Sequence, residues 1–148
     1  MIRGPSIYEL IDHTADTGIV VRGRDLPELF ESAAAAMFDV MVDLARVSPR
    51  LPPERVALAG VADPELLLVA WLGELLSRAM ARNRLYCEFE ILELTGAPDG
   101  WRLAARVAGA PFEEYQEVFK TELKAVTYHD LRVRKEEGAY VARVVFDQ

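Results

Sequence analysis

Four β-like segments follow one another in the second half of the chain with no long helix between them. They cover residues 86–94, 101–109, 124–134 and 139–147. Short glycine-containing connections at 96–100 and 136–138 separate the members of each pair. Strands joined by such short turns pair antiparallel as hairpins. The chain therefore does not follow the regular strand–helix alternation of parallel sheets.

The first half of the chain predicts two amphipathic helices. Asp25 and Asp63 each stand just before a proline-containing turn, a pattern typical of a helix N-cap. Apolar residues then recur three and four positions apart, to about Asp43 in the first helix and about Arg82 in the second. Gly73 inside the second helix costs roughly 1 kcal/mol relative to alanine. We expect it to permit close packing against a neighbouring element.

Three shorter strands are predicted at residues 8–11, 18–22 and 55–59, and the polar residues 12–17 are predicted to connect the first two. Residues 112–121 fit a loop or a short helix. The sum is about seven strands and two long helices without regular alternation. It predicts a single α+β domain over residues 1–148, with a mostly antiparallel sheet.

Composition and charge argue against a nucleic-acid-binding protein and against a membrane-inserted one. The formal net charge is −7, which disfavours the basic face that stable nucleic-acid binding requires. The most apolar stretch, residues 66–76, is too short to cross a bilayer and contains Glu74. The start of the chain has no signal-peptide pattern, and the single Cys87 suits a reducing compartment. We expect a cytoplasmic protein without membrane insertion.

The common catalytic signatures are absent from the sequence. There is no P-loop, no dinucleotide-binding glycine motif, no nucleophile elbow and no HExxH zinc motif. One cysteine also excludes a zinc site built from several cysteines. Function is therefore sought in three short polar clusters.

The first cluster surrounds Asp12, His13 and Asp16. Carboxylates in an irregular connection can direct several oxygens to one point, and oxygen ligands suit Ca²⁺ or Mg²⁺. The alternative is that these side chains cap turns and that His13 bonds a backbone carbonyl. The cluster alone does not decide between the two interpretations.

The second cluster is residues 124–130. On a continuous strand, Lys124, Tyr128 and Asp130 share one face while Thr127 and His129 share the other. The alternative is an ordinary sheet with one solvated face.

The third cluster is the end of the chain, where Asp147 and the carboxyl group of Gln148 offer further oxygen ligands. If this strand lies beside Asp16, the combined set predicts a cation site. Asp39 and Asp43, four residues apart on the first helix, are expected to point outward as solvated charges.

Several of these motifs together resemble the archease family. They are Tyr8-Glu9 followed by residues 12–16, Ala-Met-Phe-Asp-Val at 36–40, Trp-Leu-Gly-Glu-Leu-Leu at 71–76, and Lys-Ala-Val-Thr-Tyr-His at 124–129. The resemblance covers nearly the whole chain in order. It departs from the family pattern at Gly73, where a larger polar residue is more usual, and at Gln148, where an apolar residue is expected.

The resemblance implies a small α+β accessory protein that activates the RNA ligase RtcB in tRNA splicing and RNA repair. It implies that the chain promotes guanylylation and multiple turnover of the ligase and is not itself an enzyme. It also implies a divalent cation, calcium, held by Asp16, Asp147 and the backbone carbonyl of Gln148. Lys124 corresponds to the lysine that serves ligase activation. Asp12, His13 and His129 are candidates for supporting positions around the metal.

Two other functions stay open at this point. One is a chaperone-like binding module for a different nucleic-acid-modifying enzyme, with which an acidic surface is compatible. The other is a small hydrolase that uses Asp16 with His13 or His129, which requires these residues to converge on a cleft.

Overall fold

A computed structural model of the chain describes residues 1–12 and 16–148, and at Asp12 it describes the backbone alone. The described residues form nine strands, two α-helices and two 3₁₀ segments, the latter at Leu44–Arg46 and Phe112–Val118. In chain order the strands and α-helices are β1 (Ile2–Arg3), β2 (Glu9–Asp12), β3 (Asp16–Gly23), α1 (Leu26–Met41), β4 (Glu54–Val61), α2 (Pro64–Arg82), β5 (Arg84–Ala97), β6 (Gly100–Pro111), β7 (Ala125–Val126), β8 (Arg132–Glu136) and β9 (Ala139–Asp147).

The strands form two sheets in which every pairing is antiparallel. One sheet has the order β1-β5-β6-β4. The other has the order β2-β3-β9-β7, with β8 also paired to β9. The α+β class, the two long helices and both hairpins are therefore confirmed. The strands number nine because β1 was not predicted and because the predicted strand 124–134 is divided into β7 and β8.

Both predicted helix starts are confirmed by their caps. The Asp25 side chain accepts a hydrogen bond from the Glu28 N–H at 2.9 Å, and the Asp63 side chain accepts one from the Leu66 N–H at 2.8 Å. These bonds satisfy backbone donors that the first turn of a helix leaves without partners. No helix in the described part of the chain has the length and apolarity needed to cross a membrane.

Helix α1 lies between the two sheets and forms the centre of the core. It packs against β3 of one sheet and β5 of the other. The Phe38 ring lies 5.8 Å from the rings of both Tyr86 and Phe89 on β5. The indole N–H of the buried Trp71 donates to the carbonyl of Phe30 at 3.0 Å, which ties α2 to α1. Burial on two sides explains why twelve of the sixteen α1 residues are buried.

Two segments differ from their sequence prediction. The predicted strand 124–134 is wrong as one unit, because only β7 and β8 pair with β9 and residues 127–131 separate them. Asp130 adopts a positive φ of 51° there, a left-handed conformation that cannot continue a strand. The predicted connection 12–17 is shorter, since Asp12 ends β2 and Asp16 and Thr17 begin β3.

Two predictions about single residues are also wrong. Gly73 does not serve packing within the described part of the chain, because a Cβ atom built on it would meet no atom of that part within 4 Å. Asp39 is not a solvated charge: its carboxylate accepts hydrogen bonds from the Tyr8 hydroxyl at 2.8 Å and the Leu44 N–H at 3.1 Å. Burial, and then the bond to Asp39, raises the pKa of Tyr8 well above its usual range.

Candidate functional site

One residue from each of the three polar clusters lies at the same end of β9. Asp16, the first residue of β3, is the register partner of Asp147 on β9. On the other side of β9, Ala125 of β7 is also paired with Asp147. The backbone N–H of Lys124 donates to the Asp147 carbonyl at 2.8 Å. Segments more than 100 residues apart in sequence thus lie side by side.

Asp16 and Asp147 share the outer face of their sheet. The neighbouring pair, Thr17 and Phe146, is buried and faces the core, as are alternate pairs further along the two strands. Since successive side chains alternate between faces, the two aspartates point away from the core. Directly opposite residues on antiparallel strands have Cβ atoms about 4.5–5.5 Å apart. Two carboxylates are therefore neighbours at the edge of the molecule.

This pairing is unfavourable without a counter-charge. Like charges directly opposite each other on adjacent strands destabilise a sheet. Within the part of the chain that the structure describes, no lysine or arginine forms an ion pair with Asp16 or Asp147. A bound cation would relieve the repulsion between the two carboxylates.

The donor set at this point suits a hard cation. Asp16 and Asp147 supply carboxylate oxygens, and Gln148 follows directly with its backbone carbonyl oxygen. Oxygen-only coordination is the type that Ca²⁺ and Mg²⁺ take. The described residues contain no group of three His, Cys, Asp or Glu side chains placed to hold a metal. Main-chain oxygens or water would have to complete such a site.

Gly18 allows the two strands to come together beside these aspartates. A Cβ atom at this position would lie 2.8 Å from the backbone oxygen of Val144 on β9. Any larger residue would push β3 from β9 two positions from Asp16. The glycine therefore fixes the spacing on which the opposed carboxylates depend.

Lys124 belongs to the same junction but lies toward the other side of the sheet. It is exposed, and together with Val126 it lines a surface hollow beside Gly73 and Ser77 of α2. Helix α2 packs on β7 from the core side, opposite to the face that carries Asp147. The backbone of Lys124 therefore lies next to the aspartate pair, whereas its side chain lies on the α2 side of the sheet.

Gln148 is anchored by its side chain. Its amide nitrogen donates to the Thr121 hydroxyl at 3.3 Å, across the segment that leads to Lys124. Thr121 was not singled out in the sequence, since an isolated threonine in an ambiguous segment gives no local signal. The hydrogen bond from Gln148 to Thr121 holds Gln148 beside the segment that precedes β7.

Of the remaining sequence candidates, His129 is the one whose side chain the structure describes. His13 lies outside the described residues, as does the side chain of Asp12. The His129 imidazole is 72 % exposed and its nearest charged neighbour is Asp130 at 3.5 Å. Neither Asp16 nor His129 lines any of five surface hollows in the described part of the chain. The convergence of Asp16 and His129 on a cleft, which a hydrolase requires, therefore has no support there.

A further polar cluster, which the sequence did not indicate, is centred on Glu54 at the start of β4. Its carboxylate, with 12 % of the side chain exposed, accepts hydrogen bonds from Arg84 at 2.6 Å and the Tyr86 hydroxyl at 2.9 Å, and it contacts Arg82. Arg78 lies 3.6 Å away. Burial alone would raise the Glu54 pKa, but the bonds from Tyr86 and Arg84 outweigh it and lower the pKa. These contacts join α2 to the four-stranded sheet and are structural.

Comparison with known proteins adds a family to this geometry. The model of the Archease protein family matches residues 8–147. Protein archease of Methanosarcina mazei is 36 % identical over 140 residues, covering 95 % of this chain and 94 % of that protein. Protein archease of Methanopyrus kandleri is 37 % identical over 140 residues, covering 95 % and 98 %.

Two solved structures share the fold. The solution structure of protein 1598 from Methanobacterium thermoautotrophicum superposes with a TM-score of 0.82 at 35 % identity, covering 95 % of this chain and 98 % of that one. The crystal structure of an archease, possible chaperone, from Thermotoga maritima gives a TM-score of 0.58 at 17 % identity, covering 97 % and 98 %. The second likeness concerns the fold alone.

Proposed function

Because the chain belongs to the Archease protein family, we propose that it is an accessory protein that activates an RtcB-type RNA ligase in tRNA splicing and RNA repair. In this proposal the chain promotes guanylylation of the ligase and its multiple turnover, and catalyses no reaction itself. It works in the cytoplasm and does not bind nucleic acid stably on its own. The formal net charge of −7 supports the last point, since nucleic-acid binding generally needs a basic face.

The observation that carries the proposal is the meeting of Asp16, Asp147 and Lys124 around the end of β9. The family resemblance assigns Asp16 and Asp147 to the cation and Lys124 to ligase activation, and Asp16 is far from the other two in sequence. Their backbones are joined by the β3–β9 pairing and by the Lys124 hydrogen bond of 2.8 Å to the Asp147 carbonyl. A shared position is what a joint role in contacting a partner requires.

A divalent cation, calcium in this proposal, would be held by Asp16, Asp147 and the backbone carbonyl of Gln148. When bound it supplies positive charge that screens carboxylate and phosphate oxygens. The repulsion between Asp16 and Asp147 would then be relieved. The two residues would belong to the surface that contacts the ligase. Lys124 presents its ammonium group to the ligase or to a phosphate at the ligase site.

The test is RNA ligation under multiple-turnover conditions by the matching RtcB-type ligase, with and without this chain. We expect more product per ligase molecule when the chain is present, and we expect Asp147→Asn and Lys124→Ala to lose most of that increase. Asp99→Asn, in the β5–β6 turn, and Lys135→Ala, on β8, are matched controls that keep it. A competent ligase that gains nothing from the wild-type chain would refute the proposal.

A chaperone-like module for another nucleic-acid-modifying enzyme is the second candidate function. The observation in its favour is an exposed apolar surface around Met80, which is 53 % exposed. The two candidates separate in the same assay. A chain that leaves the ligase unchanged but co-purifies with, and activates, a methyltransferase supports this candidate instead.

A further inference from the structure

A groove runs between α2 and β7, beside the junction described above. It has a volume of about 590 Å³, and Gly73, Ser77 and Met80 of α2 face Lys124 and Val126 across it. That volume is in the range of binding pockets. We call it the α2–β7 groove. The open space above Gly73, where a Cβ atom meets nothing within 4 Å, shows that no described residue of the chain fills it.

A second hollow continues the groove along α2. It has a volume of about 460 Å³ and shares Leu76 and Met80 with the first. Its lining includes Phe119, which is 37 % exposed, and Met80 stands between the two hollows with 53 % of its surface exposed. Large exposed apolar side chains that adjoin one another are typical of protein-binding surfaces.

The charge of the α2–β7 groove indicates what it binds. Among the described residues that line it, Lys124 is the one that carries a charge. Within the described residues, Lys124 takes part in none of the ion pairs. A cation at the rim of an apolar floor complements a segment with an apolar side chain next to a carboxylate. A nucleic-acid strand would instead need several cations along its phosphates.

We infer that the α2–β7 groove docks a segment of the RNA ligase that carries an apolar side chain next to a carboxylate. This inference rests on the proposed function and deepens it by locating the contact. The groove begins at Lys124, whose backbone is bonded to Asp147, so a segment seated there reaches the same strand end from the face opposite to the aspartate pair. The apolar side chain occupies the space above Gly73, and the carboxylate meets the Lys124 ammonium group.

The test measures the dissociation constant between the matching ligase and variants of the full chain. Gly73→Trp fills the groove from an open position, and Met80→Glu places a charge on its apolar floor. We expect each to weaken binding at least about tenfold, equivalent to about 1.4 kcal/mol. Thr95→Trp adds the same aromatic group at the exposed far end of the β5–β6 hairpin and should leave binding unchanged. Thermal unfolding of each variant reports that it is folded.

The outcomes separate the inference from the proposed function. If the wild-type chain stimulates ligation, yet folded Met80→Glu and Gly73→Trp bind the ligase within about twofold of it, the groove is not the docking site and the function stands. If the wild-type chain neither binds nor stimulates the ligase, the function itself fails. Sedimentation of the chain alone tests a different occupant: a dimer that Gly73→Trp abolishes would assign the groove to a second copy and overturn the inference.

Discussion

At the scale of single residues, Asp16 and Asp147 place two like charges directly opposite each other on β3 and β9. Every other outer-face position that pairs β3 with β9 avoids two like charges, as in Gly18 with Val145 and Val20 with Arg143. Repulsion at this position lowers the stability of the cation-free protein. A cation that binds both carboxylates would convert the same pair into a stabilising link.

This reasoning predicts opposite effects of one substitution with and without calcium. In a chelator, Asp147→Asn should be at least as stable as the wild type, since it removes the repulsion. With calcium at about 100 times its Kd, the wild type should gain about 2.7 kcal/mol, or about 5–10 °C in Tm. Differential scanning calorimetry measures both. Asp99→Asn is the control, and an equal calcium response in Asp147→Asn would contradict the assignment.

Glu54 illustrates the opposite case, a carboxylate that is stabilised by its neighbours. Its pKa is lowered by the bonds from Tyr86 and Arg84 against the effect of burial. A lowered pKa in the folded state gives stability that is present above the ordinary carboxyl pKa and is lost as pH falls through the lowered value. The same contacts act on Tyr86, whose pKa is raised to about 12 by burial and by its bond to Glu54.

We therefore predict that Glu54→Gln costs about 2 kcal/mol at about pH 7, and that the difference from the wild type shrinks toward about pH 3. Urea unfolding at several pH values measures it. Glu114→Gln, which removes an exposed partner of Arg50, is the matched control and should cost less than about 0.5 kcal/mol. A cost for Glu54→Gln that does not change with pH would show that charge is not the cause.

At the scale of elements, local signals were sufficient for the helices and hairpins. Asp25 and Asp63 start helices because their side chains bond the backbone three residues on, which depends on near neighbours alone. The β5–β6 and β8–β9 hairpins follow from glycine-containing turns. Such features depend on residues that are close together in the sequence, so they can be predicted from it.

The break between β7 and β8 could not be predicted in the same way. Residues 127–131 alternate like a strand, but Thr127 bonds the Val145 carbonyl through both its N–H and its hydroxyl. The chain then turns at Tyr128, whose carbonyl accepts from the Leu131 N–H at 3.3 Å. The position of Val145 on a distant strand decides this conformation, and periodicity along the sequence contains no information about it.

Gly73 gives a test at the level of the helix. The residue lies in the middle of α2, and nothing in the described chain requires it to lack a side chain. Gly73→Ala should therefore stabilise the protein by about 1 kcal/mol, through higher helix propensity and a less flexible unfolded chain. Chemical denaturation measures the change. Gly18→Ala is the contrasting variant and should destabilise, because its Cβ would lie 2.8 Å from the Val144 oxygen. A loss of stability in Gly73→Ala would contradict the open environment.

At the scale of the whole molecule, the candidate site exists because β9 is an inner strand. It pairs with β3 on one side and with β7 and β8 on the other, so the last residues of the sequence lie between an early segment and a late one. Sequence reasoning joined Asp16 and Asp147 only on the condition that their segments lie side by side, and it added Lys124 only through the family resemblance. Their meeting depends on strand order, which local patterns do not specify.

This arrangement predicts that a cation bound by Asp16 and Asp147 slows the hydrogen exchange of the Lys124 amide. The amides of Lys124 and Thr127 donate to the carbonyls of Asp147 and Val145 at 2.8 and 3.0 Å, so they are exposed only when β7 separates from β9. A cation that fixes the end of β9 on β3 should make that separation rarer. Hydrogen exchange of these two amides should slow on addition of calcium, by up to about 100-fold at saturation.

The distal end of the β5–β6 hairpin supplies the internal control. Residues Thr95 and Arg102 are paired there, far along the other sheet, and their amides exchange by local fraying that a cation on β9 does not affect. They should exchange at the same rate with and without calcium, and Asp147→Asn should abolish the slowing at Lys124 and Thr127. Calcium could instead slow the exchange of core amides while the exchange at Lys124 and Thr127 stays unchanged. That result would show that the cation stabilises the protein from a site elsewhere.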